Sequence, residues 1–379
     1  MKVLITIGSV ILIFSYGYSQ SFFAMKGLGE ECLSADAYAQ SLGNLSALTY
    51  ENPAGSFDLK ATHITGTLVN NFVLGKEGRK TRLITDIRPQ LMRFKFPVVK
   101  RLKLGFKLSE VFNQNFEVYS DSIPHGNYWA RRYIKGFGGI YNLSSSLGYE
   151  LIPQTLSAGI EYGKLLGASL ENWKFEILGG SNLTSDTVFN YYTGQNLRLG
   201  ILVNYQNLIL GFIVEDLLNL AVTEKIVSHN TVVSSNDSIK IKLPRSVSFG
   251  ISYQFSNARI FSECFFRNWR NATLNNNLLN YENSFKVALG FEYLVNERYP
   301  IRAGTHYYRS YIKDRTRTNI TQLGLSLGSR ISLPNFGGID YSLKFLHRYG
   351  RILKEDIWGF TLSLSYEELF KRRTRRWGS

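Results

Sequence analysis

From residue 61 towards the C-terminus, apolar residues alternate with polar or small residues. In the clearest run, residues 246–255, Val, Phe, Ile, Tyr and Phe occupy the odd positions, and Ser, Gly or Gln occupy the even ones. A period of two gives an extended strand one apolar face and one polar face. About 14 or 15 segments show this pattern, which predicts an all-β chain. An even number near 14 fits a closed antiparallel barrel whose strands cross a membrane with about 9–11 residues each.

The polar face of these strands favours a transmembrane barrel over a soluble β-sandwich with an N-terminal cap. A sandwich would turn many Lys and Glu side chains to water, whereas residues 323–328 and 360–365 place Gly, Ser or Thr on that face. Small residues there suit a lumen that holds a plug or a ligand. The apolar rows tend to end in aromatic residues, as in the interfacial girdles of outer-membrane barrels: Tyr149, Tyr162, Tyr205, Tyr253, Tyr293, Tyr307 and Tyr366.

Residues 1–19 have the composition of a secretory signal peptide. Lys2 precedes an uncharged apolar run, residues 3–14, and the small residues Gly17 and Ser19 stand at positions −3 and −1 of the expected cleavage site. The run is too short for a membrane-spanning helix, which needs about 20 residues. We therefore expect an exported protein, located in the outer membrane of a Gram-negative bacterium if the strands form a barrel.

Residues 20–57 lack strand alternation and are predicted to form a plug in the barrel. Between Ala35 and Leu48, Ala and Leu residues have the spacing of a short helical or irregular piece. Asn52-Pro53-Ala54-Gly55 then predicts a turn, because Pro fixes φ and disfavours helix at the preceding residue. The barrel is expected to cover residues 58–368, followed by a basic tail, residues 369–379.

The formal net charge of +15 is spread along the chain. Nucleic acid is not an expected partner of an exported chain without a nucleic-acid-binding motif, so we expect contacts with outer-membrane lipids or an acidic ligand. The connections Gly179–Gln195 and Ala221–Asp237 are rich in Asn, Ser and Thr and are predicted to be extracellular loops. Cys32 and Cys264 are free or paired with each other.

Several short motifs, taken in order, resemble the long-chain fatty-acid transporter (FadL-like) family of outer-membrane proteins. They are Ser41-Leu42-Gly43, Asn52-Pro53-Ala54-Gly55, Leu243-Pro244 before the strand 247–253, Gly290-Phe291-Glu292-Tyr293 with Ile301-Arg302-Ala303-Gly304, and Ile339-Asp340-Tyr341.

The resemblance implies a 14-stranded barrel whose N-terminal hatch, with Ser41–Gly43 and Asn52–Gly55, admits hydrophobic small molecules. A PorV-like branch of the superfamily, which serves protein secretion and binds secretion-system proteins, is the alternative. The Gly- and Asp-rich stretch usual between these two hatch motifs is shortened here.

If the apolar rows face lipid, a set of charged residues on the strands points into the lumen. There they would bind a fatty-acid carboxylate, pin the hatch or neutralise one another. They are Lys103, Lys107, Arg198, Lys286, Glu292, Arg302, Asp340 and Lys344.

No enzyme, metal site or cofactor site is predicted. The sequence Gly324-Leu325-Ser326-Leu327-Gly328 matches a hydrolase motif, but that motif needs a strand, a tight turn and a helix, and here it lies in an alternating strand. The five histidines are scattered without metal-ligand spacing. An outer-membrane lipase using Ser326 with His306 or His347 is the enzyme alternative.

Overall fold

The computed structural model describes residues 21–55, 61–77, 80–99, 101–119, 122–125, 128–178, 183–228, 231–232, 238–295, 299–313, 318–333, 337–351 and 353–368. The predicted signal peptide (1–19) and basic tail (369–379) lie outside the described residues. None of the described helices is long and apolar enough to cross a membrane.

Fourteen antiparallel strands form a closed barrel, as the alternation predicted. Each strand pairs with its neighbours in sequence, and the first pairs with the last, so the sheet closes into a barrel. The strands are β1 (Thr62–Glu77), β2 (Lys80–Val99), β3 (Leu102–Asn113), β4 (Tyr128–Ile152), β5 (Leu156–Leu178), β6 (Leu183–Tyr205), β7 (Leu208–Ser228), β8 (Arg245–Phe255), β9 (Ala258–Arg267), β10 (Ser284–Val295), β11 (Tyr299–Lys313), β12 (Asn319–Leu333), β13 (Gly337–Tyr349) and β14 (Leu353–Glu368).

Shorter elements lie in the N-terminal segment, residues 21–55, and in the connections. The N-terminal segment contains a 3-10 turn (Phe22–Met25), a two-residue strand (Glu30–Glu31) and the helix α1 (Ala37–Ser41). The connections contain Phe116–Tyr119, Ile123–His125, Thr231–Val232, Ser238–Lys242, Thr273–Leu274 and Asn277–Leu278 as strands, and Trp269–Asn271 as a 3-10 turn.

The apolar rows face outward and the polar rows face the lumen. On β8, Phe249 is 48% exposed on the outer surface, whereas its neighbour Ser248 is 5% exposed. The same division runs around the barrel and leaves a belt of exposed Leu, Ile, Val and aromatic side chains. Such a continuous apolar surface is costly in water and is what transmembrane barrels turn to lipid.

The two ends of the barrel differ in their connections. At one end the connections 153–155, 206–207 and 256–257 have only two or three residues. At the other end the connections 114–127, 229–244 and 268–283 have 14 to 16 residues. We call these the inner end and the outer end.

The prediction that Gly179–Gln195 and Ala221–Asp237 are extracellular loops is wrong, because much of both segments is strand. β6 already begins at Leu183 and β7 continues to Ser228. The two strands stay paired above the apolar belt, where Thr193 lies opposite Ala221 and Asp186 opposite Ser228. Outside a membrane both strand faces can be polar, so a polar composition did not distinguish these strand extensions from loops.

The N-terminal segment lies inside the barrel. Asp36 caps α1, since its Oδ1 accepts a hydrogen bond from the Ala39 N–H at 2.7 Å. The segment contacts the inward faces of strands around the barrel, among them β5, β9 and β12. Residue Ser21 lies towards the outer end, beside Glu355 of β14, and Gly55 lies towards the inner end, beside Lys103 of β3.

Candidate functional site

Glu263, on the inward face of β9, fastens the middle of the N-terminal segment. Its carboxylate accepts hydrogen bonds from the N–H groups of Ser46 and Ala47, both at 2.7 Å. The Ser46 hydroxyl and the Lys286 ammonium donate to it at 2.8 and 3.0 Å. Both Glu263 and Lys286 are 1% exposed. A buried carboxylate with four donors attaches the segment strongly to β9, because charge-assisted hydrogen bonds gain strength away from water. We call such an attachment point a joint.

Glu51 forms a second joint nearer the inner end. Its carboxylate lies 3.4 Å from Arg93 and Lys107 and 3.7 Å from Arg198. Burial raises the pKa of Glu51, but the positive charges of Lys107, Arg93 and Arg198 outweigh that effect and lower the pKa to about 2. Glu51 therefore stays ionised and ties the segment to β2, β3 and β6.

The predicted turn at Asn52–Gly55 is present. The Ala54 N–H donates to Asn52 Oδ1 and the Gly55 N–H donates to the Asn52 carbonyl, each at 3.0 Å. Gly55 has a φ of +79°, a conformation that favours glycine. Ser157 Oγ of β5 donates to the Ala54 carbonyl at 2.7 Å. The turn is thus docked against the inner half of the barrel wall.

The other predicted hatch residues, Ser41, Leu42 and Gly43, also contact the wall. Leu42 is fully buried and packs with Phe261 of β9. The Ser41 carbonyl accepts a hydrogen bond from Ser326 Oγ at 3.1 Å. Gly43 has a φ of +86°, and a Cβ there would lie 2.6 Å from the carbonyl oxygen of residue 305. This short stretch is fitted closely between α1 and strands β9 to β12.

Inward glycines make room for the segment. A Cβ added at any of them would collide with the segment's backbone or side chains, which explains why glycine recurs on the inner face. The glycines are Gly148, Gly159 and Gly200 at the Asn52–Gly55 turn, Gly211 and Gly250 at Ala47 and Leu48, and Gly290, Gly304 and Gly328 at Ser41, Leu42 and Gly43.

Glu31 forms a third joint, at the outer end. Arg267 Nη1 lies 2.5 Å from its carboxylate, Trp269 Nε1 donates to it at 3.1 Å, and the Tyr308 hydroxyl also donates to it. The Trp269 ring is fully buried and stacks on Tyr311 with 4.0 Å between ring centroids. The connection 268–283 thereby covers the outer end of the N-terminal segment.

The barrel wall has a gap between the outer halves of β2 and β3. In the described residues these strands pair only from Leu91 and Ser109 towards the inner end. Farther out, the free edge of β3 pairs instead with Glu30–Glu31 of the N-terminal segment. Arg88 Nε bridges the gap to Glu110 at 2.8 Å. The N-terminal segment therefore completes part of the barrel wall at this gap.

A cavity lies between the segment and the wall beside this gap. This outer cavity has a volume of about 90 Å³. Phe23, Val73, Leu346 and Ile357 give it an apolar side, and Lys344 lies on its wall. Val73, Leu346 and Ile357 form an apolar cluster on the inner face. The other charged residues on its wall all belong to ion pairs; they are Glu30, Glu31, Arg88 and Arg348. The outer cavity therefore combines an apolar side, paired charges and Lys344.

A second, inner cavity of about 220 Å³ lies on the other side of the segment. Arg302 on its wall is held by Glu292 at 2.8 Å and by Asp340 at 2.7 Å. The Arg302 guanidinium also lies 4.6 Å from the centre of the Tyr38 ring. Arg302, Glu292 and Asp340 thus satisfy one another on the wall of the inner cavity, and Arg259, which also lines it, donates to Gln254. The helix α1 and its neighbours separate the inner cavity from the outer cavity.

The structure divides the predicted lumenal charges into two kinds. All except one form ion pairs: Lys103 with Glu150 (2.7 Å), Lys107 with Glu161 (2.9 Å), Arg198 with Glu215 (2.8 Å), Lys286 with Glu263 (3.0 Å), and Arg302 with Glu292 and Asp340.

Lys344 of β13 is the exception. It has no ion pair or hydrogen bond with any residue in the described part of the chain. Its stem packs where a side chain on Gly359 would lie, with Cγ 2.7 Å from the position of an added Cβ.

The residues of the lipase alternative are not arranged for catalysis. Ser326 lies within β12, and its hydroxyl donates to the carbonyls of Ser41 and Gly304 at 3.1 and 3.2 Å. His306 contacts Gln322 at 2.7 Å, and His347 contacts Asp356 at 2.6 Å. No described hydrogen bond links Ser326 to either histidine, which a serine nucleophile and its base require.

The remaining sequence-level candidates are cysteines and possible metal ligands. Both cysteines are free: Cys32 contacts Glu110 Oε2 at 3.3 Å beside the wall gap, and Cys264 faces outward on β9. In the described ranges, His, Cys, Asp and Glu form no group that could hold a metal ion.

The sequence reasoning missed the residues that fasten the segment. Glu31, Glu51 and Glu263 were not singled out, nor was Arg93, which bonds Asp36 at 3.0 Å. Glu263 carried a usable signal, because it is the single acidic residue of β9 and stands on the inward row. Glu51 and Glu31 carried none, since their partners come from distant strands.

No family model matches the sequence, and no curated protein matches it. Solved structures do share the fold. The Pseudomonas putida toluene transporter TodX has a TM-score of 0.61 at 13% identity, covering 90% of this chain and 99% of TodX. The CymD monoaromatic hydrocarbon channel has a TM-score of 0.59 at 14% identity, covering 89% of this chain and 98% of CymD.

A third match is to a Pseudomonas aeruginosa FadL homologue, with a TM-score of 0.58 at 14% identity, covering 93% of this chain and 99% of the homologue. These similar structures include transporters and channels, and none of the three is described as an enzyme. In its architecture the chain therefore has the fold of the FadL-like barrels.

Proposed function

We propose that this protein is an outer-membrane channel for the passive uptake of hydrophobic small molecules that carry an acidic group, such as fatty acids. The outer end, with its long connections, would face the exterior, and the inner end, with its short turns, would face the periplasm. The fold shared with hydrocarbon channels and a FadL homologue supports the transport class.

The observation that carries the proposal is the outer cavity with Lys344. A carboxylate needs a positive charge, and its acyl chain needs an apolar wall. The outer cavity offers both, and Lys344 is not committed to an acidic partner among the described residues. The other lumenal cations that the sequence singled out are paired, so Lys344 is the best candidate to bind the acidic group.

We further propose that the N-terminal segment acts as a hatch and that this structure is the closed state. A cavity of about 90 Å³ is smaller than the about 300–1,000 Å³ typical of ligand pockets. The segment also lies between the outer and inner cavities. Passage therefore requires the segment to shift, and loss of the Glu30–Glu31 pairing would widen the gap between β2 and β3 at the same time.

The test compares binding of a fatty acid and of the alcohol of equal chain length by detergent-purified protein. Lys344→Gln should weaken fatty-acid binding about tenfold or more, because a charge-assisted hydrogen bond contributes about 1.5–3 kcal/mol. Alcohol binding should change little. Lys164→Gln is the matched control, since Lys164 is exposed on the outward face of β5.

Uptake in cells that lack their own fatty-acid channel provides the second measurement. Fatty-acid uptake that depends on this protein and falls in Lys344→Gln supports both parts of the proposal. Unchanged affinity in Lys344→Gln would rule out Lys344 as the anchor. A protein that binds no apolar compound, supports no uptake and co-purifies with a secretion complex would instead favour the PorV-like alternative.

A further inference from the structure

A groove on the outer surface of the barrel combines exposed aromatic side chains with a basic cluster. It lies near the outer end, across β9, β10 and β11, and has a volume of about 470 Å³. Phe266, Phe285 and Tyr307 form its floor and are 42%, 38% and 39% exposed. Phe266 lies directly opposite Phe285 across the strand pair. The groove therefore has a continuous aromatic floor at the upper limit of the apolar belt.

A basic cluster forms the rim of this groove. Glu282 is surrounded by Arg270 at 2.6 Å, Lys313 at 3.1 Å and Arg309 at 3.9 Å. Hydrogen bonds from Arg270 and Lys313 lower the pKa of Glu282, which keeps the carboxylate charged. Three positive charges against one negative charge leave a net charge of +2 in the cluster. The side chains of Arg270 and Arg309 are 63% and 41% exposed.

The order of these groups along the barrel matches an amphiphile standing in a membrane. Arg309 lies opposite Phe285 across the strands, but its guanidinium reaches outward to 3.9 Å from Glu282, which precedes β10. Arg270 lies beyond the end of β9. The guanidinium groups thus lie farther towards the outer end than the aromatic rings. Exposed ion pairs of this kind add little to folding stability, so folding gives little reason to gather three cations here.

We propose that this groove binds lipid A, the phosphorylated lipid of the outer leaflet of the outer membrane. One phosphate would lie between Arg270 and Arg309, whose guanidinium groups donate paired hydrogen bonds to phosphate oxygens. An acyl chain would cover Phe266, Phe285 and Tyr307. The inference rests on the proposed function only for the membrane and its orientation, and it makes no use of the lumen.

The experiment is native mass spectrometry of the full chain in detergent, titrated with lipid A or with dephosphorylated lipid A. We expect the wild type to retain lipid A, and Arg270→Gln/Arg309→Gln to bind it about tenfold more weakly. Arg270→Lys/Arg309→Lys should be intermediate, because it keeps the charge and loses the fork of donors. Arg131→Gln is the matched control, since Arg131 is an exposed outward arginine on β4.

Three results would overturn the proposal. They are equal binding of lipid A by wild type and Arg270→Gln/Arg309→Gln, equal loss in Arg131→Gln, and equal binding of the dephosphorylated lipid. Heat-modifiable migration on gels shows that each variant still forms the barrel. A protein that binds lipid A at the groove but takes up no fatty acid would contradict the proposed function and leave this inference standing.

Discussion

The lumen contains one region in which the charged side chains form ion pairs and another in which a lysine has no described acidic partner. Along residues 36–55 of the N-terminal segment, carboxylates and cations are joined into compact clusters, as at Glu51 and Glu263. In the outer cavity Lys344 lies beside an apolar wall without a described acidic partner. The difference separates charges that hold the structure from a charge that can receive a ligand.

The energetic cost of burial explains why both regions exist. A buried charge without a partner is expensive, so the charges that are covered by the segment must be paired. A lysine on the wall of a cavity keeps access to water and can exchange water for a ligand. The comparison predicts large effects where a paired cluster is broken and small effects on folding where Lys344 is changed.

The largest effect is expected for Glu263→Gln. The substitution leaves Lys286, which is 1% exposed, without its ion pair and weakens the hydrogen bonds to Ser46 and Ala47. Breaking one partner of a buried pair costs about 3–5 kcal/mol. Hydrogen–deuterium exchange of a peptide covering residues 44–48 should therefore become at least about 100-fold faster.

Asp216→Asn is the control for Glu263→Gln. Asp216 pairs with Arg245 at 2.9 Å, but the Arg245 side chain is 67% exposed. An exposed pair contributes about 0–1 kcal/mol, so exchange of the segment should stay as in the wild type. Equal exchange in wild type and Glu263→Gln would mean that Glu263 does not hold the segment.

The next largest effect is expected at low pH, where protonation of Glu51 should weaken its ion pairs with the barrel wall. The pKa of Glu51 is lowered from its usual 4.5 to about 2, so the charged form stabilises the docked segment. That contribution is complete above pH about 4.5 and is lost as the pH falls towards about 2. Exchange of residues 46–55, corrected for intrinsic rates, should accelerate across this window. Glu51→Gln should exchange faster at neutral pH and show a flatter profile, and the same profile in both proteins would refute the assignment.

A smaller effect is expected for Gly200→Ala. The added Cβ would meet Asn52 and would lie 2.8 Å from Pro53 Cδ. Overpacking of this kind costs about 1–3 kcal/mol. Gly66→Ala is the matched control, because a Cβ there has no neighbour within 4 Å. Both changes have the same effect on strand propensity, so faster exchange of residues 50–55 in Gly200→Ala alone would isolate the contact with the segment. No difference between the variants would contradict that contact.

The barrel was predictable from the sequence because its cause is local and repeated. Each strand must offer one apolar face to the outside, so the alternation in residues 246–255 is visible without knowing the neighbours. The turn at Asn52–Gly55 was predictable for the same reason, since Pro and Gly fix the local backbone. The polar extensions of β6 and β7 were not predictable. Outside the apolar belt both faces of a strand can be polar, so a strand there shows no apolar–polar alternation.

The division of roles among the lumenal charges needed the structure. Lys286 and Lys344 look alike in sequence, as both are lysines on the inward row of a strand. Their difference comes from which side chains the neighbouring strands and the segment bring close: Glu263 lies beside Lys286, whereas apolar side chains and Gly359 lie beside Lys344. These partners are distant in sequence, so no local pattern encodes them.

The smallest expected effect is on movement of the N-terminal segment rather than on stability. The rate at which the Cys32 thiol is labelled measures that movement. Burial, together with the neighbouring charge of Glu110, raises the pKa of the Cys32 thiol, and the thiol contacts Glu110 at the wall gap. Since the thiolate is the reactive form, a water-soluble thiol reagent should label Cys32 slowly while the segment is docked. In a Cys264→Ser background, addition of fatty acid should speed labelling, whereas the alcohol of equal length should have less effect.

Glu263→Gln should label fast even without ligand, because its segment is already loosened, and Lys344→Gln should lose the response to fatty acid. Fast labelling of the Cys264→Ser protein without ligand would mean that the paired charges do not hold the segment. An unchanged response to fatty acid in Lys344→Gln would mean that Lys344 does not receive the ligand. Either result would contradict the distinction between the paired region and the outer cavity.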